Sequence, residues 1–380
     1  MIYFDNAATT WPKPQTVADA VAQAMRKYGA NPGRSGHKMS LTTAMKIYEV
    51  RELAAEFFGA NSAENVVFTQ NCTHALNIVI RGLLMPGDHV IMSELEHNSV
   101  LRPVHALAER GIISYSIAPV SNSDNETVAS FASLILPNTK LIICTHGSNV
   151  WGIRPPVKKL GKLAFEKNIF FLVDAAQTAG VINIDVNDCA IDFLCTAGHK
   201  SLYGPSGTGL LITARSDVLD PLMEGGTGSY STELTQPEDM PEKFESGTVN
   251  AMGIIGLGAG IRYIKSKGLP SIYKHEMTLG QIIYRRLQSM PAIELYTDFE
   301  SETQLPVLSF NIAGMHSEDV AAKLSDKGFA LRGGLHCAPF AHRKMGTLER
   351  GAARISIGIF NTTEQAMALC NEIKRIAVGR

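Results

Sequence analysis

The stretch "FFLVDAAQ", residues 170–177, decides the fold. Its first four residues are apolar without a break, and the run ends on Asp174. A strand with one wet face alternates apolar and polar residues, whereas a strand covered on both faces is apolar throughout. The same signature recurs in "NVVFTQ" (65–70), "HVIMSEL" (89–95), "ISYSIAPV" (113–120), "KLIICTHG" (140–147), "DFLCTAG" (192–198) and "GLLITA" (209–214). Helical patterns lie between these runs, as in "THALNIVIRGLL" (73–84) and at 98–109. Apolar strands alternating with helices specify an α/β fold with a parallel central sheet and helices on both faces.

Sheets of this kind bind ligands outside the carboxyl ends of their strands. The polar tails "TQNCT", "SELEHN", "THGSN", "DAAQ" and "TAGHK" should therefore converge on one rim. Asp174 needs a partner there, because a bare carboxylate behind four apolar residues is costly. A helix N-cap is one solution, and a protonated pyridine nitrogen is another. "TAGHKSLYGPSGTG" (196–209) is not a nucleotide loop. Its glycines follow Lys200 instead of preceding it, and Gly207-Thr208-Gly209 is followed by Leu-Leu-Ile, so both phosphate-loop patterns fail. A lysine on a partly desolvated rim can lose its proton and attack carbonyls.

The chain has 380 residues, 45% of them hydrophobic, with a formal net charge of -1. That balance gives no global attraction to nucleic acid or to a membrane surface. The opening "MIYFDNAATTWPKP" does not read as a leader, and no apolar run reaches the roughly 18 residues of a membrane span, so a cytoplasmic location is expected. Six cysteines without a CxxC pair fit separate reduced thiols. The short basic run "HRK" (342–344) reads as a solvated loop. His336, Cys337 and His342 lack the paired spacing of a zinc site, and no metal is expected. After about residue 250 the pattern changes. The glycine-rich run at 251–266 reads as a helix that packs through small residues, followed by a helix at 271–289 and the strands "LPVLSFNI" (305–312) and "ARISIGIF" (353–360). The expected division is a large domain over 15–250 and a smaller α+β domain made of 1–14 and 251–380.

Asp174-Ala175-Ala176-Gln177 together with Gly198-His199-Lys200 resembles the class V aminotransferase group of fold-type I pyridoxal-phosphate (PLP) enzymes. Within that group the chain is similar to the cysteine desulfurase and selenocysteine lyase family. The resemblance runs nearly end to end, through "YFDNAATT" (3–10), "FTQNCTHALN" (68–77), "LEHNS" (95–99), "THGSNVWG" (145–152), "FESGTVN" (244–250), "RGGLHCAPF" (332–340) and "RISIGIFNT" (354–362). The "RGGLHCA" segment resembles the short-loop desulfurase type.

The resemblance implies a role for each matching residue. Lys200 would hold PLP covalently, Asp174 would pair with the pyridine nitrogen and Gln177 with the phenolic oxygen. His97 would stack on the ring. Thr73 and His199 would bind the phosphate, with Cys72 beside them, and a helix N-terminus favours that anion on physical grounds alone. Thr248 would reach the phosphate of a partner subunit, which implies a homodimer with shared sites. Arg354 and Asn149 would hold the substrate carboxylate, and His37, Arg332 and His336 would join them in binding the substrate, near the reacting thiol. Cys337 would be that thiol, taking sulfur from L-cysteine as a persulfide for a sulfur-acceptor protein. A lyase acting on selenocysteine, or another class V aminotransferase or lyase in which Cys337 is incidental, are the alternatives. The sequence departs from the family at Ala197, where a phosphate-binding hydroxyl is usual, and at Ser201, Leu335 and Pro339.

Overall fold

The computed structural model describes residues 1–33 and 36–379. The first half of the chain contains strands β1 (Ile2–Tyr3), β2 (Val66–Thr69), β3 (His89–Ser93), β4 (Ser114–Ala118), β5 (Thr139–Thr145) and β6 (Phe170–Asp174). Helices α1 (Gln15–Lys27), α2 (Lys38–Phe58), α3 (Cys72–Leu83), α4 (Asn98–Glu109), α5 (Asp124–Ser133) and α6 (Val157–Glu166) are interspersed with them. Then come β7 (Phe193–Ala197), β8 (Gly209–Ile212), α7 (Ala251–Lys267), α8 (Leu269–Gln288), β9 (Ile293–Leu295) and β10 (Val307–Ile312). The chain closes with α9 (Ser317–Asp326), β11 (Phe329–Ala330), α10 (Pro339–Lys344), β12 (Ala353–Ser356) and α11 (Thr363–Val378).

Seven strands form the central sheet in the order β2-β8-β7-β6-β5-β3-β4. The period-2 geometry of strands divides their side chains between two cores. Ile142, Cys144, Phe171, Val173 and Leu194 face the core that also holds α2 and α7, while Leu141, Ile143, Leu172, Phe193 and Cys195 face the core of α3 and α4. Burying a side chain such as Phe171 or Phe193 contributes about 1.5–3 kcal/mol, and each is fully buried.

One strand departs from the parallel pattern. β8 pairs antiparallel with both β7 and β2. A parallel return needs a crossover of a dozen or more residues, usually helical. The segment 198–208 holds no helix and turns at Gly207, at φ 78°, so the chain folds straight back beside β7. Two long helices, α1 and α2, occupy a region where the sequence reading singled out no element.

The glycines of α7 pack as their size suggests. A Cβ on Gly260 would stand 2.1 Å from the Leu202 carbonyl oxygen, so only hydrogen lets this helix lie against the loop behind Lys200. Ile254, Leu257, Ile261 and Ile264 of α7 join Val50, Leu202 and Tyr203 in the core under the large sheet. A separate core gathers Phe4 with residues of α8, β10, α9, β12 and α11. Its sheets are the antiparallel set β12-β10-β9 and the parallel pair β1-β11. The N-terminal residues thus cross from one core to the other, directly over the rim. Among the described residues no helix is long and apolar enough to cross a membrane.

Candidate active site

All five polar tails meet in one cavity of about 250 Å³. After β2 come Asn71, Cys72 and Thr73; after β3, Leu95 and His97; after β5, Thr145, Gly147 and Asn149. Asp174 ends β6 and Ala176 and Gln177 follow it, while Ala197 ends β7 and His199 and Lys200 continue it. Arg332, His336 and Arg354 close the cavity from the side of β12, and Ala7 and Ala8 enter from the N-terminal segment.

Strand parity explains the floor. Asp174 lies on the same face of β6 as Leu172, and Cys195 and Ala197 lie on that face of β7, toward α3. Cys72 on the first turn of α3 therefore meets Asp174. Its thiol donates to Asp174 Oδ1 at 3.3 Å, and the Ala176 N–H donates to the same oxygen at 2.9 Å. Burial, with the Asp174 charge beside it, pushes the Cys72 thiol well above its ordinary pKa, so it stays a donor. Asn71 caps α3 by accepting from the His74 N–H at 2.9 Å, and the first two residues of the helix, Cys72 and Thr73, whose N–H groups have no carbonyl within the helix to bond, line the cavity.

Lys200 stands opposite Asp174. Burial lowers its pKa, partly offset by the Asp174 charge, which favours a neutral and nucleophilic amine. Its peptide is fixed from outside the sheet: the His199 carbonyl accepts from Thr10 N–H at 3.2 Å, Thr9 Oγ1 at 3.1 Å and Lys13 Nζ at 2.5 Å. Burial, then the Lys200 and Lys13 charges, push His199 down to about 4. His97 caps α4, where its Nδ1 accepts from the Ser99 N–H at 3.1 Å. Burial lowers its pKa as well, so the neutral ring carries its proton on Nε2. Gln177 donates to the Ala7 carbonyl at 3.1 Å.

Arg354 on β12 is 1% exposed and Asn149 is 8% exposed. Asn149 Nδ2 donates to the His336 carbonyl at 2.8 Å. Cys337 follows, half-buried, its carbonyl accepting from the Asn98 N–H at 2.7 Å beside His97. Both His336 (φ 50°) and Cys337 (φ 58°) hold the left-handed conformation. Such a backbone costs on the order of 1–3 kcal/mol per residue and persists only where its surroundings fix it.

Three residues singled out by the sequence do not line this cavity: Cys337 stands one residue beyond His336, which does, and His37 and Thr248 lie elsewhere. His37 is exposed and caps α2, accepting from the Ser40 N–H at 3.2 Å. Thr248 is exposed and accepts from Asn31 Nδ2 at 3.4 Å, in a cleft it shares with Tyr48 and Arg51. Neither lines the cavity of its own chain. The basic run 342–344 is not a solvated loop: it ends helix α10, and His342 is fully buried against His336. Sequence reading also passed over Asp5, Lys13 and Glu96. Asp5 and Lys13 lie in the quoted opening segment, but nothing in its pattern says which strand ends it would reach.

The donor set suits PLP. An amine on a strand end faces a carboxylate that is 4% exposed, and the open helix N-terminus lies at the side of the same cavity. The fold is that of the fold-type I PLP enzymes. Residues 2–369 match the family model for class V aminotransferases, and the chain belongs to that family. Within it the chain is similar to cysteine desulfurases. A probable cysteine desulfurase of Methanothermobacter thermautotrophicus is 37% identical over 386 residues, covering 99% of this chain and 94% of that protein. The cysteine desulfurase of Haloferax volcanii is 33% identical over 383 residues, covering 98% and 88%. Two mycobacterial relatives are longer, and the match spans 56% and 62% of them. Among solved structures, the apo cysteine desulfurase of Thermococcus onnurineus superposes with a TM-score of 0.93 at 34% identity, covering 100% of this chain and 95% of the other. An Escherichia coli cysteine desulfurase gives 0.87 at 28%, covering 98% and 94%.

Proposed function

We propose that the protein is a PLP-dependent cysteine desulfurase, which converts L-cysteine to L-alanine and leaves the sulfur as a persulfide on Cys337. The observation that carries this reading is the cavity itself, where Lys200 and Asp174 face one another and His336, the residue before the half-buried Cys337, lines the wall. Lys200 would hold PLP covalently, Asp174 its pyridine nitrogen, and Thr73 with the α3 N-terminus its phosphate. His97 would cover the ring and Gln177 would reach its phenolic oxygen. When bound, PLP draws electron density from the substrate Cα and so makes the Cα–H bond acidic.

The chain's own residues do the rest. The Arg354 guanidinium and the Asn149 amide orient the substrate carboxylate. Lys200, released when the substrate amine takes its place, removes the proton from Cα and later returns a proton to the substrate carbon. The Cys337 thiolate attacks the substrate sulfur; an S–S bond forms, the Cβ–S bond breaks, and its electrons stay with the carbon that is then protonated to give alanine. The lowered pKa of Lys200 supports its part as a base.

A homodimer belongs to the same proposal. His37 and Thr248 stand outside their own cavity, and α2 exposes Leu41 (55%), Met45 (64%) and Tyr48 (50%), whose i, i+4, i+7 spacing puts them on one helix face. A large exposed apolar patch marks an interaction surface. A sulfur-acceptor protein and a cytoplasmic setting complete the reading.

Product analysis tests it. With L-cysteine the expected products are alanine and protein-bound persulfide, and Cys337→Ser should abolish both. Alanine formed only from selenocysteine, with no loss in Cys337→Ser, would favour a lyase. A keto acid in place of alanine would favour an aminotransferase.

A further inference from the structure

We propose that His342 is a positioning residue for the reacting thiol: through His336 it holds the loop that carries Cys337. The inference rests on the reading of Cys337 as the sulfur carrier.

Three buried side chains form a line behind the cavity. His336 is 1% exposed, His342 is fully buried and Thr347 is 1% exposed. The imidazole planes of His336 and His342 differ by only 9°, with centroids 5.6 Å apart and His336 Nδ1 3.3 Å from His342 Nε2. On one side His336 Nε2 lies 3.3 Å from the Arg332 carbonyl, and on the other His342 Nδ1 lies 2.8 Å from Thr347 Oγ1.

Elementary bookkeeping assigns the protons. A carbonyl can only accept, so His336 must carry its hydrogen on Nε2. In a neutral ring Nδ1 is then an acceptor, and the proton between the rings belongs to His342 Nε2. His342 Nδ1 in turn accepts from the Thr347 hydroxyl. The result is a directed chain, Thr347 to His342 to His336 to Arg332, with every ring nitrogen satisfied. Burial keeps both rings neutral, as the chain requires, with His342 pushed down to about 4.

The chain fixes a backbone that does not stay put by itself. His336 and Cys337 are consecutive left-handed residues, and Gly334 at φ 105° precedes them. The His336 carbonyl is held by Asn149 and the Cys337 carbonyl by the Asn98 N–H. Between them the His336 ring is held on one side by the Arg332 carbonyl and on the other by His342, the one side-chain partner of that ring among the described residues. His342 is itself well anchored. Its N–H donates to the Ala338 carbonyl at 3.1 Å and its carbonyl accepts from the Thr347 N–H at 2.9 Å. Two residues on, Lys344 donates to Glu94 at 2.6 Å, which ties α10 to the end of β3. No atom of His342 lines the cavity, so its effect on the thiol must pass through His336.

The test compares full-length wild type, His342→Phe and His342→Gln. Phe fills the space without a donor, whereas Gln places an N–H where Nε2 stands. The primary readout is the rate of Cys337 alkylation by iodoacetamide, followed by peptide mass. The half-buried Cys189 on the far side serves as internal control. The expected result is alkylation of Cys337 at least fivefold faster in His342→Phe, within twofold of wild type in His342→Gln, and unchanged at Cys189. Alanine formation from L-cysteine should fall in His342→Phe and recover in His342→Gln. A Cys337 rate within twofold of wild type in His342→Phe would overturn the proposal, as would equal acceleration at Cys189. If wild type forms no alanine, the desulfurase reading fails while the alkylation rates still decide the role of His342.

Discussion

Arg354 and Asp5 form a buried ion pair at the roof of the site, with Nη2 donating to Asp5 Oδ1 at 2.6 Å. Nη1 donates to the Asn149 carbonyl at 3.0 Å, and Nε has no hydrogen-bond partner among the described residues. The guanidinium is thus held in place with donor capacity to spare for a substrate carboxylate. Removing Asp5 leaves a buried cation uncompensated, a change that typically costs 3–5 kcal/mol. Because the Asp5 side chain is 21% exposed, Asp5→Ala should lose about 3 kcal/mol of stability, measured by urea unfolding. Arg354→Lys keeps the charge but not the fork, so KM for L-cysteine should rise at least about tenfold in steady-state kinetics. An unchanged KM would remove Arg354 from substrate binding.

Lys200 should be the only point of covalent attachment for PLP. Borohydride reduction of the purified protein, followed by digestion and mass measurement, should place the cofactor mass on the peptide carrying Lys200. Lys200→Ala should carry no such mass and should form no alanine. An adduct on Lys13, which touches the neighbouring His199 carbonyl, would refute the assignment.

The thiol of Cys72 supports the Asp174 carboxylate with one hydrogen bond. A hydrogen bond to a charged group contributes about 1.5–3 kcal/mol net, somewhat less for a weak sulfur donor. Cys72→Ala should therefore weaken PLP retention by roughly tenfold, an order-of-magnitude expectation from that range. Cys72→Ser, which restores a donor, should stay closer to wild type. Equilibrium dialysis against PLP measures both. Equal retention in all three proteins would mean that Asp174 needs only the Ala176 N–H.

Much of this site was legible in the sequence because parallel sheets gather strand ends. Asp174, Lys200, His97 and Thr73 each follow an apolar run, and all four line one cavity. Their neighbours were harder. Asp5 comes next to a two-residue strand that pairs with residues more than 300 positions away, so no local period points to the Arg354 contact. His342 looked solvated because it sits in a basic run, yet in a helix Arg343 and Lys344 can turn outward while His342 turns in. The antiparallel course of β8 was hidden for a related reason. Its apolar run reads the same in either direction, and only the helix-free connection at 198–208 sets the polarity. Thr248 and His37 match family positions by sequence, but a shared site cannot be assembled from the geometry of one chain.

Two buried carboxyls make stability depend on pH in a definite direction. Burial raises Glu96 and Glu276 from 4.5 to about 8 each. Between those values the folded protein binds protons that the unfolded chain has released, so stability falls as pH rises. The buried histidines act in the opposite sense at lower pH. His146 is pushed down to about 3 and His342 to about 4, so their effect is complete once pH exceeds the ordinary histidine value of 6.5. From pH 6.5 to 8 the histidines no longer oppose the carboxyls, but the lowered Lys200 and Lys13, the latter at about 8, do. The carboxyl effect is therefore read as a difference between two proteins that share those lysines. Each carboxyl contributes a loss of about 1.4 kcal/mol per pH unit, or about 2 kcal/mol over this window. Glu276 lies on α8, away from the cavity, which makes Glu276→Gln the cleaner variant. Between pH 6.5 and 8, wild type should lose about 2 kcal/mol more in urea unfolding than Glu276→Gln. Equal slopes in the two proteins would show that Glu276 is already ionised in the fold at pH 6.5.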